Sequence, residues 1–441
     1  MRFDEAVRYL LSLGAETLAI KLGLRNTELL LSALGDPQKS YPSVQIAGTN
    51  GKGSTAVLLN SICDAAGIKT GLYTSPHLIS IRERMRFGQR EISEEDFAHA
   101  ATQVRRAAEA MFERRQIDAL PTFFEQVTAI ALAAFKQANV DLAILETGLG
   151  GRLDATSVAQ AQLVAITPIA LDHEEYLGKT IESIAAEKAA IIRPGVTAII
   201  ASQPPQALEV ILSQAERGKV EPKVADWDAT IEKVTEDGRF QVTVRTVHDQ
   251  YQHLLIGLRG RHQIVNAAVA IRLAESLHGQ GFDITRSAIH DGIGRASHAG
   301  RLELWPGKPS FLFDGAHNTS GVQALRDYLQ EFIKAPLTLV FGAMRDKNLA
   351  EMAGKLFPIA QELVLTMPDN PRAATLELLQ QAATSLVDAQ RVSAAGSVKS
   401  AISRALEVTP PDGLICITGS LYLIGDAQIA LHQIGEAKTA N

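Results

Sequence analysis

The densest chemistry in the chain lies in Ala47-Gly48-Thr49-Asn50-Gly51-Lys52-Gly53-Ser54-Thr55. A short apolar run, Val44 to Ala47, leads into it, and Lys52 to Ala66 reads as the helix after it. Glycines there let backbone N–H groups converge on phosphate oxygens, the helix start adds positive potential, and Lys52 neutralises the outer phosphates. Ser54 is placed to support Mg²⁺. The spacing departs from G-x-x-x-x-G-K-[ST], because Gly53 separates Lys52 from Ser54. An ordinary glycine turn is the plain alternative, but the lysine, the serine and the strand–loop–helix context together favour an ATP-type nucleotide. Val140 to Glu146 is an apolar strand ending in a carboxylate, the position from which a Walker-B-type acid reaches Mg²⁺. A second glycine-rich turn, Gly148 to Asp154, follows it. Asp172-His173 comes just after the run Leu163 to Pro168, at the same sheet edge, where His173 is either a metal ligand or an ordinary structural histidine.

Thr180 to Ile192 reads as a helix whose apolar stripe is Ile181, Ile184, Ala185 and Ile192, and Lys188 falls within that stripe. One reading is a lysine whose stem packs while its ammonium reaches water. The other is a buried amine of lowered pKa, able to react with CO₂ to give a carbamate, a metal-binding carboxylate in place of a cation.

Short β-rich runs alternating with longer helical stretches are needed to set these groups at strand ends, and the chain has that pattern, an α/β architecture with mostly parallel strands. Ser93 with Asp96 caps a helix running to about Arg115. Val140 to Glu146, Leu163 to Pro168 and Val196 to Ala201 are expected as buried parallel strands, and 222–258 as an antiparallel section. A second βα series runs through Phe311 to Asp314, Leu337 to Phe341, Glu362 to Thr366 and Leu414 to Thr418. The glycine-rich stretch Gly292 to Gly300 reads as a linker. The expectation is therefore a P-loop-type, mostly parallel domain over 1–297 and a smaller Rossmann-like α/β domain over 298–441.

Composition bounds the rest. The 441 residues, 46% hydrophobic and 21% charged, exclude a disordered or fibrous chain, and two cysteines are too few for a disulfide framework. A net charge of −6 offers no basic field for a nucleic acid. The richest apolar run, Val127 to Phe135, stops at Lys136, too short to span a membrane. The N-terminus lacks a basic segment followed by an apolar signal core, so a cytoplasmic protein is expected.

These residues resemble the folylpolyglutamate synthases and dihydrofolate synthases of the Mur ligase superfamily, from about Lys21 to the end of the second domain. The marks are Gly48 to Ser54, Thr74-Ser75-Pro76-His77-Leu78, Thr122-Phe123-Phe124-Glu125, Glu146 to Thr156, Leu171-Asp172-His173, Glu187-Lys188-Ala189, Asp314-Gly315-Ala316-His317-Asn318 and Thr418-Gly419-Ser420-Leu421-Tyr422. The unusual phosphate-loop spacing is the family's own form. Thr147, where a Val is usual, and Ala190, where the family commonly has Gly, are departures that remove no chemical group.

The resemblance implies an ATP-dependent amide ligase: ATP phosphorylates the carboxylate of a pteroyl substrate, and the amine of L-glutamate attacks the acyl phosphate. It implies ATP contacts from Thr49, Asn50, Gly51, Lys52, Gly53, Ser54, Asn266, Arg301, Asp314 and His317. Ser54, Ser75, Glu146, His173 and a carbamylated Lys188 would hold Mg²⁺, taken as two ions, with a monovalent cation as a further cofactor to test. Lys52, Lys188 and His173 form the implied catalytic set. Leu22, Gly23, Thr122, Phe124, Leu153, Asp154 and Ala155 would line the pteroyl site. A monomer that closes its two domains on ATP is implied, without nucleic-acid or membrane partners. Leu153-Asp154-Ala155 with Ser-Pro-His-Leu favours the bifunctional form, which makes dihydrofolate and also extends folates; a polyglutamylation-only enzyme, a muramyl ligase and a P-loop switch are the alternatives.

Overall fold

The computed structural model describes residues 1–14 and 23–439, with side chains through residue 434. An eight-stranded sheet contains β1 (Ser43–Ala47), β2 (Thr70–Tyr73), β3 (Met85–Phe87), β4 (Arg90–Glu91), β5 (Leu142–Glu146), β6 (Leu163–Ile166), β7 (Thr197–Ile200) and β8 (Lys223–Val224). Its spatial order is β4-β3-β2-β5-β1-β6-β7-β8. Every pair from β2 to β8 is parallel, while β3 and β4 add an antiparallel margin. Parallel strands covered on both faces need apolar side chains at successive positions, and β1, β5 and β6 are buried at every residue.

The expected antiparallel section is a separate three-stranded sheet of β9 (Trp227–Val234), β10 (Phe240–Thr246) and β11 (Gln250–Leu255). A third sheet has β12 (Glu303–Trp305), β13 (Ser310–Asp314), β14 (Leu337–Phe341), β15 (Glu362–Leu365), β16 (Val392–Ala394) and β17 (Leu414–Thr418). Its order is β12-β13-β17-β14-β15-β16, all parallel except the edge strand β12.

Six helices matter for the site. They are α1 (Lys52–Ala65), α2 (Glu94–Glu113), α3 (Phe123–Gln137), α4 (Ile181–Ala189), α5 (His262–Gly279) and α6 (Arg286–Arg295). The Ser93 hydroxyl caps α2 by accepting from Asp96 N–H, as its sequence indicates. Thr122 and Glu125 cap the start of α3 reciprocally. Helix α1 is buried from Ser54 to Cys63, because it lies in one core with β1, β5, β6 and the inner face of α5.

The expected linker over Gly292–Gly300 is corrected. Its first four residues belong to α6, and a Cβ on Gly292 would stand 2.4 Å from Ile62 Cα of α1. That glycine is a helix-crossing residue, admitting backbone where a side chain would collide. The connection between the first and third sheets is shorter, Ala296 to Leu302.

Candidate active site

The carboxyl ends of two parallel sheets border one cavity of about 540 Å³. The first sheet contributes the segments after β1, β2, β5 and β6, and the third those after β13, β14, β15 and β17. Such edges are where open α/β sheets take ligands, since loops diverge there and helix N-termini point inward. Every expected site residue that lies among the described residues lines this cavity. Leu22 lies outside them.

The loop after β1 is more constrained than its composition indicates. The amides of Thr49 and Asn50 both donate to Pro168 O, at 3.1 and 3.2 Å, and the Thr49 hydroxyl bonds the backbone of Ala170. Those two N–H groups are therefore engaged by the loop after β6. The amides of Lys52, Gly53 and Ser54 form the first turn of α1, where no intrahelical acceptor exists, and these residues border the cavity. Gly51 has φ 88°, and a Cβ there would meet Asn266 Oδ1 at 2.3 Å. Asn266 reaches the loop from α5.

Two lysines converge on this loop. Lys52 Nζ donates to Gly48 O and Thr49 O, each at 3.1 Å, and Lys188 Nζ donates to Gly48 O at 2.6 Å. Lys188 is 4% exposed, so its stem does not carry the ammonium out to water. Burial, reinforced by the charge of Lys52, brings its pKa from 10.5 to about 7. Glu146 is also buried and accepts Ser75 N–H at 3.1 Å; burial raises its pKa, with Lys52 opposing. Burial likewise takes His173 down to about 3 against the pull of Asp172, which leaves a neutral imidazole. His173 has φ 50° and begins the short helix Glu174–Leu177.

Among the described residues, no group of three His, Cys, Asp or Glu side chains is close enough to hold a metal. A divalent ion here would draw on Glu146, the hydroxyls of Ser54 and Ser75, His173 and the phosphates of a nucleotide. That hard, oxygen-rich set suits Mg²⁺, which commonly takes one or two carboxylates plus substrate phosphates. A carbamate on Lys188 would add a second carboxylate.

Asp154 lines the cavity and also braces the glycine turn beside it. Its Oδ2 accepts the amides of Gly148 and Leu149, each at 2.9 Å, while Oδ1 accepts Thr156 N–H and its hydroxyl. The carboxylate is used up in holding the glycine turn, so it shapes the wall rather than offering a free acceptor. Thr122, Phe124, Leu153, Ala155 and Gly23 border the same end of the cavity. The Thr147 hydroxyl is buried without a hydrogen-bond partner, the cost of a Thr at that strand end.

On the opposite wall, Asp314 ends β13, its two oxygens accepting Leu302 N–H and Ala316 N–H at 2.9 and 3.0 Å. Burial raises its pKa, and Arg301 opposes that. Arg301 donates to Gly315 O at 3.4 Å. His317 Nδ1–H donates to Gly315 O at 2.7 Å, and its Nε2 stands 3.5 Å from Asp172 Oδ2.

Sequence reasoning missed the group that ties the walls together. Lys347 Nζ lies 2.6 Å from Asp172 Oδ1, with both side chains under 10% exposed, and Asn318 Nδ2 donates to Asp172 Oδ2 at 3.0 Å. Asn50 bonds Asn318 and Ser320 across the same cleft. Burial pushes the Asp172 carboxyl up, but His317, His173 and Lys347 outweigh it and hold it well below the ordinary range. Lys347 follows β14 just as His173 follows β6, and that position after a strand was the available signal.

Parallel sheets meeting edge to edge over a phosphate loop define the nucleotide-dependent ligases of the Mur type. Two family profiles agree: the Mur ligase middle domain matches residues 46–274, and the Mur ligase glutamate ligase domain matches 300–421. A "Dihydrofolate synthase/folylpolyglutamate synthase" of Bacillus subtilis is 35% identical over 94% of this chain and 96% of its own. The chain belongs to the folylpolyglutamate synthase/dihydrofolate synthase family. A Halobacterium salinarum "Probable bifunctional folylpolyglutamate synthase/dihydropteroate synthase" is 37% identical over 97% of this chain and 51% of its own. The chain thus spans about half the length of that archaeal relative. The Mycobacterium tuberculosis folylpolyglutamate synthase complexed with ADP superposes with a TM-score of 0.91 at 31% identity, covering 97% of each chain. Other solved relatives, at 30% and 29% identity, hold DHPP and ADP (Escherichia coli FolC) and Mn, AMPPNP and L-glutamate (a bifunctional enzyme), with TM-scores of 0.86 and 0.84 over at least 98% of either chain.

Proposed function

We propose that the protein is an ATP-dependent amide ligase. It adds L-glutamate to the carboxylate of dihydropteroate and to the glutamate tail of reduced folates through an acyl phosphate. The observation that carries this reading is the single cavity onto which the first turn of α1, buried Glu146 and buried Lys188 all open opposite Arg301 and Asp314. Solved relatives holding DHPP, ADP, AMPPNP and L-glutamate support the substrate set.

In this reading the first-turn amides and Lys52, swung from its two carbonyls, take the phosphates. Asn266, Arg301 and His317 flank the nucleotide, and the free lone pairs of Asp314 accept from ribose hydroxyls. Thr49 and Asn50 act through the loop they brace. Ser54, Ser75, Glu146, His173 and carbamylated Lys188 would hold Mg²⁺, which when bound supplies charge neutralisation for the transferring phosphoryl group. Positioning does the rest: the substrate carboxylate, held along Thr122, Phe124 and the Leu153–Ala155 wall, attacks the γ-phosphorus and ADP leaves. The glutamate amine then attacks the acyl carbon, and phosphate departs with the C–O bond.

Two Mg²⁺ ions, a monovalent cation requirement, a monomeric state, a cytoplasmic setting and domains meeting between Ser297 and His298 belong to the same proposal. The test supplies ATP and L-glutamate with dihydropteroate or tetrahydrofolate and reads product mass and ADP. We expect one added glutamate with either acceptor, and ADP release that needs both co-substrates. Product from tetrahydrofolate alone would favour a polyglutamylation-only enzyme. Equal ATP hydrolysis without either co-substrate would overturn the ligase reading.

A further inference from the structure

The segment between the first and third sheets carries a histidine that the reaction as described does not use. His298 sits in one turn with Arg301, whose backbone N–H donates to His298 O at 3.3 Å. Its ring lies against the phosphate loop: a Cβ on Gly53 would stand 2.9 Å from His298 Cε1 and 3.2 Å from Glu146 Oε2. Its Nδ1 is 3.2 Å from Ser54 Oγ. On the other side of that hydroxyl, Gln263 Nε2 approaches Ser54 Oγ at 3.4 Å.

The directions of these bonds follow from chemistry. Gln263 Oε1 accepts from Asn266 Nδ2 at 2.8 Å, so the Gln263 amide nitrogen, which can only donate, faces Ser54 with one hydrogen and lies 3.0 Å from His262 Nε2 with the other. Ser54 Oγ is thereby an acceptor toward Gln263, and with His298 carrying its proton on Nε2 the hydroxyl donates its single proton to Nδ1. A hydroxyl held by one donor and one acceptor has no rotational freedom left, and its remaining lone pair has a fixed direction.

We propose that His298 is a positioning residue that, with Gln263, aims the Ser54 hydroxyl for a nucleotide-bound divalent ion and makes that aim depend on the placement of the Arg301 turn. The inference rests on the ligase reading of the site only in assigning Ser54 to the metal–nucleotide complex. Its physical content is a relay, Asn266 to Gln263 to Ser54 to His298, joining the adenosine side of the cavity to the connection between the sheets. Arg301 in the cleft and an oriented Ser54 then arrive together, because one turn carries Arg301 and the residue that orients Ser54. Groups that hold a ligand's own orientation typically contribute about 10- to 100-fold in metal affinity or activity.

The experiment measures ADP affinity of the full chain by calorimetry, with Mg²⁺ and with EDTA, for wild type, His298→Leu and His298→Asn. Asn places an acceptor oxygen close to the position of Nδ1, whereas Leu keeps bulk alone. We expect His298→Leu to reduce the Mg²⁺-dependent gain in affinity about 10- to 100-fold while metal-free affinity stays near wild type. His298→Asn should recover most of that gain. A full Mg²⁺ gain in His298→Leu, or a parallel loss with and without metal, would overturn the inference. Should His298→Leu fail to fold, Gln263→Met removes the opposite partner of the same hydroxyl, and an undiminished Mg²⁺ gain there overturns it equally. Absence of glutamate ligation in wild type would refute the ligase reading and leave this binding result standing.

Discussion

Lys188 shows how much of a residue's chemistry depends on a few ångströms of depth. The helical phase that puts it in line with Ile184 and Ala185 was visible along the chain, but the choice between a solvated ammonium and a buried amine was not. The folded surroundings lower its pKa from 10.5 to about 7, so between those values the unfolded chain binds the proton that the folded chain has released. Stability of the unmodified protein should therefore rise with pH across that window. Carbamate formation needs the neutral amine and CO₂, so at a fixed concentration of dissolved CO₂ the reactivation of acid-treated, dialysed enzyme should accelerate as pH rises through about 7. A rate flat from pH 6 to 8 would count against this. Lys188→Ala should lose most ligase activity, and intact mass of the wild type should show one added CO₂; an unmodified, dispensable lysine would remove the metal role. The cysteines are the opposite case: both are buried, and burial first, then Asp64, pushes the Cys63 thiol up to about 12. Thiol reagents at pH 8 should leave the native protein unlabelled and modify it only after unfolding.

Elements were most legible where one pattern dictated them. β5 and β6 read as buried strands because both faces are covered, and α2 announced its start through Ser93. The connection near Gly292 misled because glycines at 292 and 294 carry low helix propensity, which packing against α1 overrides. Gly292→Val would drive a branched side chain into Ile62 backbone and should destabilise the protein by about 1–3 kcal/mol or more, read from urea midpoints. Gly51→Ala is a different kind of lesion. It forces a Cβ onto a φ of 88° and toward Asn266 Oδ1, so ADP affinity should fall further than Tm does. Equal losses in both would place the defect in folding rather than in the loop.

Across the whole molecule, the cleft is held by contacts that no local pattern announces. Asp172, after β6, takes Lys347 from after β14 together with Asn318 and His317 from after β13. Lys347→Met leaves the buried Asp172 carboxylate with Asn318 and its two histidines but without its closest cation, so it should cost up to about 3–5 kcal/mol and give a more open scattering curve. Adding ATP should compact the wild type, since its ligands stand on both walls. Identical curves for wild type and variant, with and without nucleotide, would refute a latch at Asp172. The candidate site was largely readable because its residues cluster in short motifs at strand ends. Lys347, Gln263 and His298 escaped because their partners are 175, 209 and 244 positions away along the chain.

By itself the sequence determined the glycine–lysine loop, the strand-end carboxylate, the α/β class and the family, because each is written in short motifs or in local periodicity repeated along the chain. Tertiary structure alone decided which loop amides are bonded within the protein, that Asp154 braces its own turn, that Lys188 is buried, and that the two sheets lock through Asp172. Those outcomes depend on burial and on partners brought from distant segments, and spacing along a chain does not encode either.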